Sequence, residues 1–271
     1  MTIKAVSAAG HRPVALVRNP TASADRMFDL EREVDESTVD GLDGLIHIAW
    51  SWAVDSQRHA DPNLVAGAGL ARACESSGIR PVLLSTYSVF AAASSEYGAA
   101  KLDLERDFLE AGGTALRAGL IWGGSATGMV ATLLGLAKSR HFCIHLTPEP
   151  VMHHSEQTAL ASALAAAATS PESQNEAFLA SSQETVALTQ ILHAAAPSRK
   201  RLHMPVPLNL VIAAARMAEK LRVNLPFRLD SLSAVTPEAE RAAAEATAPQ
   251  LLGFPGSDLF LEWLESLNTT A

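Results

Sequence analysis

A tyrosine and a lysine, Tyr97 and Lys101, stand four residues apart in a stretch with helical character. On a helix, residues at i and i+4 lie on the same face. An isolated tyrosine has a pKa of about 10, and a nearby ammonium lowers that pKa because it stabilises the phenolate. The pair can therefore exchange a proton with a carbonyl or an alcohol. The alternative interpretation is a surface pair on an amphipathic helix.

The residues before this pair favour the chemical interpretation. A predicted buried strand ends in three hydroxyl side chains, Ser85, Thr86 and Ser88, shortly before Tyr97. One of these hydroxyls would hold a substrate oxygen while the tyrosine moves its proton. Proton transfer of this kind is commonly coupled to hydride transfer by a nicotinamide cofactor.

The first half of the chain has the pattern of a parallel α/β sheet that would position these residues. Helices are predicted over residues 63–77 and 97–110. Short apolar strands are predicted over residues 13–18, 44–50, 81–85 and 115–122. Strands alternating with helices of ten to fifteen residues indicate βαβ units and a parallel sheet. The predicted fold class is α/β, a Rossmann-like doubly wound parallel sheet.

The second half is rich in alanine and is predicted to be mostly helical. Its helices are predicted over residues 157–168, 184–195 and 208–221, with a last helix that ends at residue 267. We interpret this half as the final elements of the sheet together with a small helical lobe. The predicted division is residues 1–150 for the core and 151–271 for the last core elements and the lobe.

Composition excludes several other classes of protein. The chain has 271 residues, 48% of them hydrophobic, and a net charge of −8, which argues against nucleic acid or an anionic membrane as the main partner. No apolar run is long enough to cross a bilayer, and the first fifteen residues lack the apolar segment of a signal peptide. Two cysteines are too few for a disulfide framework or a cysteine zinc site. We therefore expect a cytoplasmic protein without a metal.

Several segments together resemble a known family. LLSTYSVFAAASSEYGAAKLDLE followed by LRAGLIWG is similar to the hydroxyl strand, YGxxKxxxE helix and following strand of the extended or atypical short-chain dehydrogenase/reductases, in the NAD-dependent epimerase/dehydratase group. GLDGLIHIAW resembles the strand of that family that ends in His-x-Ala along the cofactor. VMHHSEQTALASAL stands where the family often carries His-Val-Asp-Asp-Leu-Ala. The resemblance covers roughly residues 8–165.

The resemblance implies roles for individual residues. Tyr97 resembles the catalytic acid/base, Lys101 its activator and a ribose ligand, and Thr86 the catalytic hydroxyl, with Ser85 and Ser88 as close rivals. The positions implied to contact the cofactor, NADP or NAD, are Arg18, Asp29, Leu30, Ala49, Trp50, Asn63, Tyr97, Lys101, Ala118 and Leu120. Arg18 follows a strand where a cation favours the 2′-phosphate of NADP over the free ribose of NAD, or it is an ordinary solvated charge.

The glycine-rich opening of the family has no counterpart in this sequence. In the family a strand and a Gly-x-x-Gly-x-x-Gly turn hold the cofactor pyrophosphate at a helix N-terminus. Residues 4–11 resemble only the end of that first helix. Three explanations stay open: a coding start assigned too late, a truncated relative that no longer binds cofactor, or a rearrangement of residues 1–10 into the gap.

Two classes of function follow. The first is an NAD(P)-dependent epimerase, dehydratase or reductase that acts on a nucleotide sugar or a related hydroxy or carbonyl compound. An isomerase or reductase that acts on a non-sugar substrate, such as a ketone, stays open beside it. The second is a non-catalytic, truncated family member that binds a metabolite or a protein partner without redox turnover. The expected partner is a small-molecule substrate. A homodimer is also expected, because dimers formed through two long helices are common in the superfamily, and the helix over residues 97–110 would be one of them.

Overall fold

The computed structural model describes residues 1–52, 61–92, 95–139, 142–169, 175–197, 202–220, 236, 239, 241–243 and 248–269. The strands are β1 Leu16–Val17, β2 Arg26–Met27, β3 Gly44–His47, β4 Arg80–Thr86, β5 Thr114–Ala118, β6 Leu120–Trp122, β7 Phe142–Thr147, β8 Val151–Glu156, β9 Glu176–Ala180, β10 Thr185–Ala187 and β11 Leu202–Pro207. The helices are α1 Thr2–Ala8, α2 Pro62–Ser77, α3 Glu96–Glu110, α4 Gly128–Ser139, α5 Gln157–Thr169, α6 Leu188–Ala194, α7 Leu208–Lys220 and α8 Ser257–Thr269.

The largest sheet is parallel and has the strand order β3-β4-β5-β9. Successive residues of a strand point to opposite faces, and both faces of β4 are apolar. Val82 packs with Leu160 and Leu164 of α5 on one face. Leu83 packs with Leu104 and Phe108 of α3 on the other. The sheet is therefore covered by helices on both sides, which confirms the predicted α/β, Rossmann-like fold class.

The strands β1 and β2 form a separate two-stranded parallel sheet. Leu16 of β1 nevertheless packs against the core beside β3, and the ring of Phe28, just after β2, lies 6.2 Å from that of His47. In the part of the chain that the structure describes, no strand pairs with both β1 and β3. The strand predicted over residues 13–18 is shorter than expected, since only Leu16 and Val17 belong to β1.

Residues at the start of the chain form α1, a helix that packs against α5. They therefore supply no strand beside β3. The resemblance of residues 4–11 to the end of a helix agrees with α1, and the three explanations for the missing glycine-rich opening stay predictions.

The second half combines helices with small sheets. Strands β10, β8 and β6 form one sheet and β11 and β7 another. Helices α4, α6 and α8 enclose an apolar core around Trp122 and Phe260. Two predicted boundaries are wrong. The strand expected over 115–122 is split at Gly119 into β5 and β6, which belong to different sheets, and the helix expected over 184–195 begins as the strand β10.

No helix among the described residues is both long and apolar enough to cross a membrane. The division of the chain at residue 150 stays a prediction.

Candidate active site

The candidate site lies where β3, β4 and β5 end. These strands run parallel, so their carboxyl ends meet at one edge of the sheet, which is where open α/β sheets bind ligands. The hydroxyl residues end β4, the aromatic residues follow β3, and α3 begins a few residues after β4. The sequence order thus brings all three segments to the same edge.

The first turn of α3 is held close to the end of β4. Ser95 caps the helix, because its Oγ accepts a hydrogen bond from the Gly98 N–H at 2.9 Å. A Cβ on Gly98 would collide with the backbone carbonyl of Ser88. Only glycine allows this approach, which sets the Tyr97 turn against the short 3-10 turn Tyr87–Ala91.

The Lys101 ammonium is buried at the strand ends. Its side chain is 3% exposed, and its Nζ donates a hydrogen bond to the Leu84 carbonyl at 3.0 Å. The same Nζ lies 4.6 Å from the centre of the Trp50 ring, a cation–π contact. Burial lowers the pKa of Lys101 to about 8, although the Glu105 carboxylate acts in the opposite direction. At neutral pH the side chain is therefore mainly an ammonium.

Tyr97 lies in an aromatic cluster with two tryptophans. Its ring is 5.0 Å from that of Trp50 and 4.8 Å from that of Trp52, measured between centroids. Trp52 is half exposed, whereas Tyr97 is partly buried. Tyr97 and Lys101 both contact Trp50, so the structure brings together the two residues on which the predicted proton transfer depends.

The three candidate hydroxyls have different surroundings. Thr86 Oγ1 accepts a hydrogen bond from the Ser88 N–H at 3.2 Å and lies 3.3 Å from Ser88 Oγ. Ser85 Oγ instead donates to the buried Glu105 carboxylate at 2.5 Å. Thr86 and Ser88 therefore form a pair at the strand end, whereas the Ser85 hydroxyl is committed to the interior.

Asn63 fixes the segment after β3. Its side chain accepts from the Ser51 N–H at 2.7 Å and donates to the Ser51 carbonyl at 2.9 Å. Asn63 is fully buried at the start of α2, where Asp61 caps the helix. The bidentate contact holds the backbone between the two tryptophans, and with it the stretch from Ala49 to Trp52.

The residues expected at the adenine end lie beside the smaller sheet. Arg18, after β1, pairs with Asp29, after β2, at 3.3 Å, and the Arg18 side chain is 61% exposed. Leu30 is buried and lines a cavity of about 690 Å³ between residues 30–36 and α2. Arg18 is thus a cation at the position where the 2′-phosphate was predicted, in a partly solvated ion pair.

The last two positions predicted to contact the cofactor, Ala118 and Leu120, lie in different parts of the structure. Ala118 ends β5, is buried, and pairs with Thr86 on one side and Ala180 on the other, so it belongs to the edge of the sheet that carries the site. Leu120 lies across the break in that strand and packs against the core around Trp122.

Sequence reasoning assigned no role to several residues at the site. Glu105 is 2% exposed and binds both Ser85 and Arg117. Its spacing of four residues from Lys101 could have indicated it. Tyr87, the other tyrosine of the chain, accepts a hydrogen bond from the Ser181 hydroxyl at 3.2 Å. The sequence could not show that contact, because the two residues are far apart along the chain.

The adjacent histidines of β8 face different surroundings, as expected for neighbours on a strand. His153 stacks on Tyr87, with ring centroids 4.1 Å apart. His154 stacks on Phe260 and accepts a hydrogen bond from the Trp122 indole N–H at 3.1 Å. Among the described residues, no group of three histidine, cysteine, aspartate or glutamate side chains could hold a metal.

The site fits one end of a nicotinamide dinucleotide better than the other. The segment from Ala49 to Trp52, together with Tyr97 and Lys101, forms a wall beside which a flat ring and its ribose could lie. Among the described residues, only the helix α1 precedes β1, and no strand with a glycine-rich turn leads into that helix to cradle a pyrophosphate. Gly67 of α2 does not supply one, because a Cβ there would meet Leu104 of α3, so its small size serves helix packing.

The comparisons with known proteins agree with the fold. No protein-family model and no curated protein matches the chain. Among solved structures, it is similar to the UDP-N-acetylglucosamine 4-epimerase from Bacillus cereus, with 13% identity, a TM-score of 0.58, and coverage of 89% of this chain and 94% of that one.

Two further structures show the same likeness. One is MoeE5 in complex with UDP-glucuronic acid and NAD, with 16% identity, a TM-score of 0.58, and coverage of 89% of this chain and 95% of that one. The other is the Citrobacter sp. triphenylmethane reductase complexed with NADP(H), with 17% identity, a TM-score of 0.60, and coverage of 91% and 87%. At these identities the likeness establishes a Rossmann-like fold.

Proposed function

We propose that this protein is an NAD(P)-dependent oxidoreductase or epimerase that exchanges a proton with a hydroxyl or carbonyl group of its substrate through Tyr97. The observation that carries the proposal is the convergence of Tyr97, Lys101 and the Thr86–Ser88 pair at the carboxyl edge of a parallel sheet. A surface pair on an amphipathic helix would leave Lys101 exposed, whereas this lysine is 3% exposed.

In this proposal each residue has a separate task. The Tyr97 phenol gives its proton to a substrate carbonyl oxygen, or takes one from an alcohol. The Lys101 ammonium stabilises the phenolate form, since a positive charge nearby favours the anion. Thr86 and Ser88 hold the substrate oxygen, and the tryptophans limit the access of water. A bound nicotinamide would supply or accept the hydride.

The substrate class is the finer part of the proposal. Two of the similar structures carry nucleotide sugars in their names, UDP-N-acetylglucosamine and UDP-glucuronic acid. They support a nucleotide sugar or a related hydroxy or carbonyl compound as substrate. The triphenylmethane reductase among the neighbours supports a substrate that is not a sugar. We propose that the helical second half supplies the substrate pocket.

A cofactor titration tests the proposal directly. Purified protein is titrated into NADPH and, separately, NADH while the nicotinamide fluorescence is recorded. We expect saturable binding of at least one of them. In a turnover assay with candidate nucleotide sugars and ketones, Tyr97→Phe is expected to lower the rate by about 10²–10⁴-fold, because it removes the phenol hydroxyl that carries the proton.

The second tyrosine offers a matched control. Tyr87→Phe also removes a phenol hydroxyl, but from a residue that contacts Ser181 and His153 instead of the tryptophans. We expect it to leave turnover nearly unchanged. Equal losses in both variants would contradict a special role for Tyr97. A protein that is folded but binds neither dinucleotide would favour the second hypothesis, a non-catalytic binding protein. That hypothesis is supported by the lack, among the described residues, of a strand and glycine-rich turn before α1.

A further inference from the structure

Glu105 is the centre of a buried group of charges below the candidate site. Its carboxylate is 2% exposed and receives a bidentate ion pair from Arg117, with nitrogen–oxygen distances of 2.7 and 3.1 Å. The Ser85 hydroxyl donates to the same carboxylate. A carboxylate with so many donors is fixed in position.

Lys101 and Glu105 lie one turn apart on α3, and both reach the end of β4. Lys101 binds the carbonyl of Leu84, and Glu105 binds the side chain of the next residue, Ser85. The ammonium and the carboxylate are therefore neighbours in a region with little access to water. In such a region, opposite charges interact more strongly than at the surface.

The other groups around Lys101 do not stabilise its charge in the same way. Arg117, on β5, is a second cation, and it is paired directly with the Glu105 carboxylate. His47, on β3, is neutral, because burial and the Lys101 charge lower its pKa to about 3. The Trp50 ring, after β3, offers only its face. Tyr97, on the same helix as Lys101, is the group that the ammonium is proposed to serve.

We propose that Glu105 is a positioning residue, which keeps Lys101 in its ammonium form beside Tyr97. Without the carboxylate, two cations would remain buried near each other, and the lysine can lose its proton whereas the arginine cannot. The electrostatic part of this proposal stands on the contacts alone. Its consequence for catalysis rests on the proposed function.

A lysine titration by NMR tests the electrostatic part without cofactor or substrate. The chain has five lysines, which makes spectra of protein labelled at the lysine ε-carbon simple: Lys4, Lys101, Lys138, Lys200 and Lys220. The Lys101 signal is assigned by its loss in Lys101→Arg. The wild-type midpoint is expected near pH 8. In Glu105→Gln we expect the midpoint to fall by about one pH unit or more.

Arg117→Met provides a variant with the opposite expected sign. It removes the competing cation and leaves Glu105 in place, so the Lys101 midpoint should rise. A merely structural role for the network would move both midpoints in the same direction or neither, and either result would overturn the proposal. If Glu105→Gln does not fold, as judged by circular dichroism, the direction of the shift in Arg117→Met decides.

The catalytic consequence has its own measurement. In Glu105→Gln, the decline of turnover towards high pH should begin at a lower pH, by the same amount as the NMR midpoint. A shifted NMR midpoint with an unchanged pH profile would contradict the role in catalysis and leave the electrostatic assignment intact. Absence of all turnover in the wild type would instead count against the proposed function.

Discussion

The two ends of the candidate cofactor site are built very differently. At the Tyr97 end, the strands β4 and β5 are long and central, and the polar groups of Lys101 and Glu105 are buried and bonded. At the Arg18 end, two strands of two residues each form a sheet of their own, and the ion pair to Asp29 is partly solvated. The Tyr97 end is therefore held in place by the main core, whereas the Arg18 end depends on few contacts.

The contrast indicates which end tolerates change. Buried groups with several partners lose much free energy when one partner is removed, whereas exposed ion pairs contribute little. A relative with this fold could vary its preference for one dinucleotide at the Arg18 end without disturbing the proton-transfer residues.

The two ends should differ most in the free energy of unfolding that is lost when an aromatic ring is removed. Phe108 is fully buried between α3 and the main sheet and stacks on His47. Phe108→Ala should lower the free energy of unfolding by about 3–5 kcal/mol. Phe28→Ala, at the smaller sheet, should cost only about 1 kcal/mol because its ring is partly buried. Urea denaturation measures both, and equal losses would remove the contrast.

A smaller effect on stability, with a large effect on the site, is expected from Gly98→Ala. The new Cβ would meet the Ser88 carbonyl, so the first turn of α3 must move away from the hydroxyl pair. We expect a loss of about 1–3 kcal/mol, measured by denaturation, with reduced turnover.

Gly135→Ala is the matched control for that change. Gly135 lies in α4, where a Cβ would meet nothing within 4 Å. Alanine should stabilise the helix there by up to about 1 kcal/mol. A Gly98→Ala protein as stable and active as wild type would show that the close approach to Ser88 is not required.

The smallest effect on stability is expected at the Arg18 end. Arg18→Ala should change the free energy of unfolding by less than about 0.5 kcal/mol, because the Arg18 side chain is largely exposed. If Arg18 reads the 2′-phosphate, the variant should bind NADPH more weakly while its affinity for NADH stays the same. An equal change for both dinucleotides in the fluorescence titration would favour the interpretation of Arg18 as an ordinary surface charge.

The regular parts of the fold could be predicted from the sequence because local signals mark them. The helix expected over 63–77 is observed as α2, with Asp61 as cap, Pro62 in its first turn and Gly78 in the left-handed conformation after its end. The helix expected over 97–110 begins one residue earlier. Caps, apolar period and terminal glycines lie within these segments, so no distant contact is needed to read them.

The parts that could not be predicted depend on distant contacts. The strand expected over 115–122 is broken because residues after Gly119 pair with β8 instead of β4. Gly119 is a local sign of the break, since a Cβ there would collide with the His153 backbone, but it does not show which strand becomes the new partner. Likewise, the sequence makes Ser85 a close rival of Thr86, as it does Ser88, and only the position of Glu105 one turn beyond Lys101 separates the environment of Ser85 from theirs. The roles assigned to the site residues stay predictions.

The helix α8 has a consequence for how the protein is made. Phe260 and Trp263 of this helix pack on Trp122, and the Glu184 side chain accepts hydrogen bonds from Ser257 at its start. All four strands of the main sheet have been synthesised once β9 is made, so the sheet can begin to fold on the ribosome, and the bridge from Gln250 to Leu179 of β9 is added later. The core around Trp122 has to wait until residues 257–269 have left the exit tunnel, and chaperones that protect nascent chains would meet its exposed apolar surface until then.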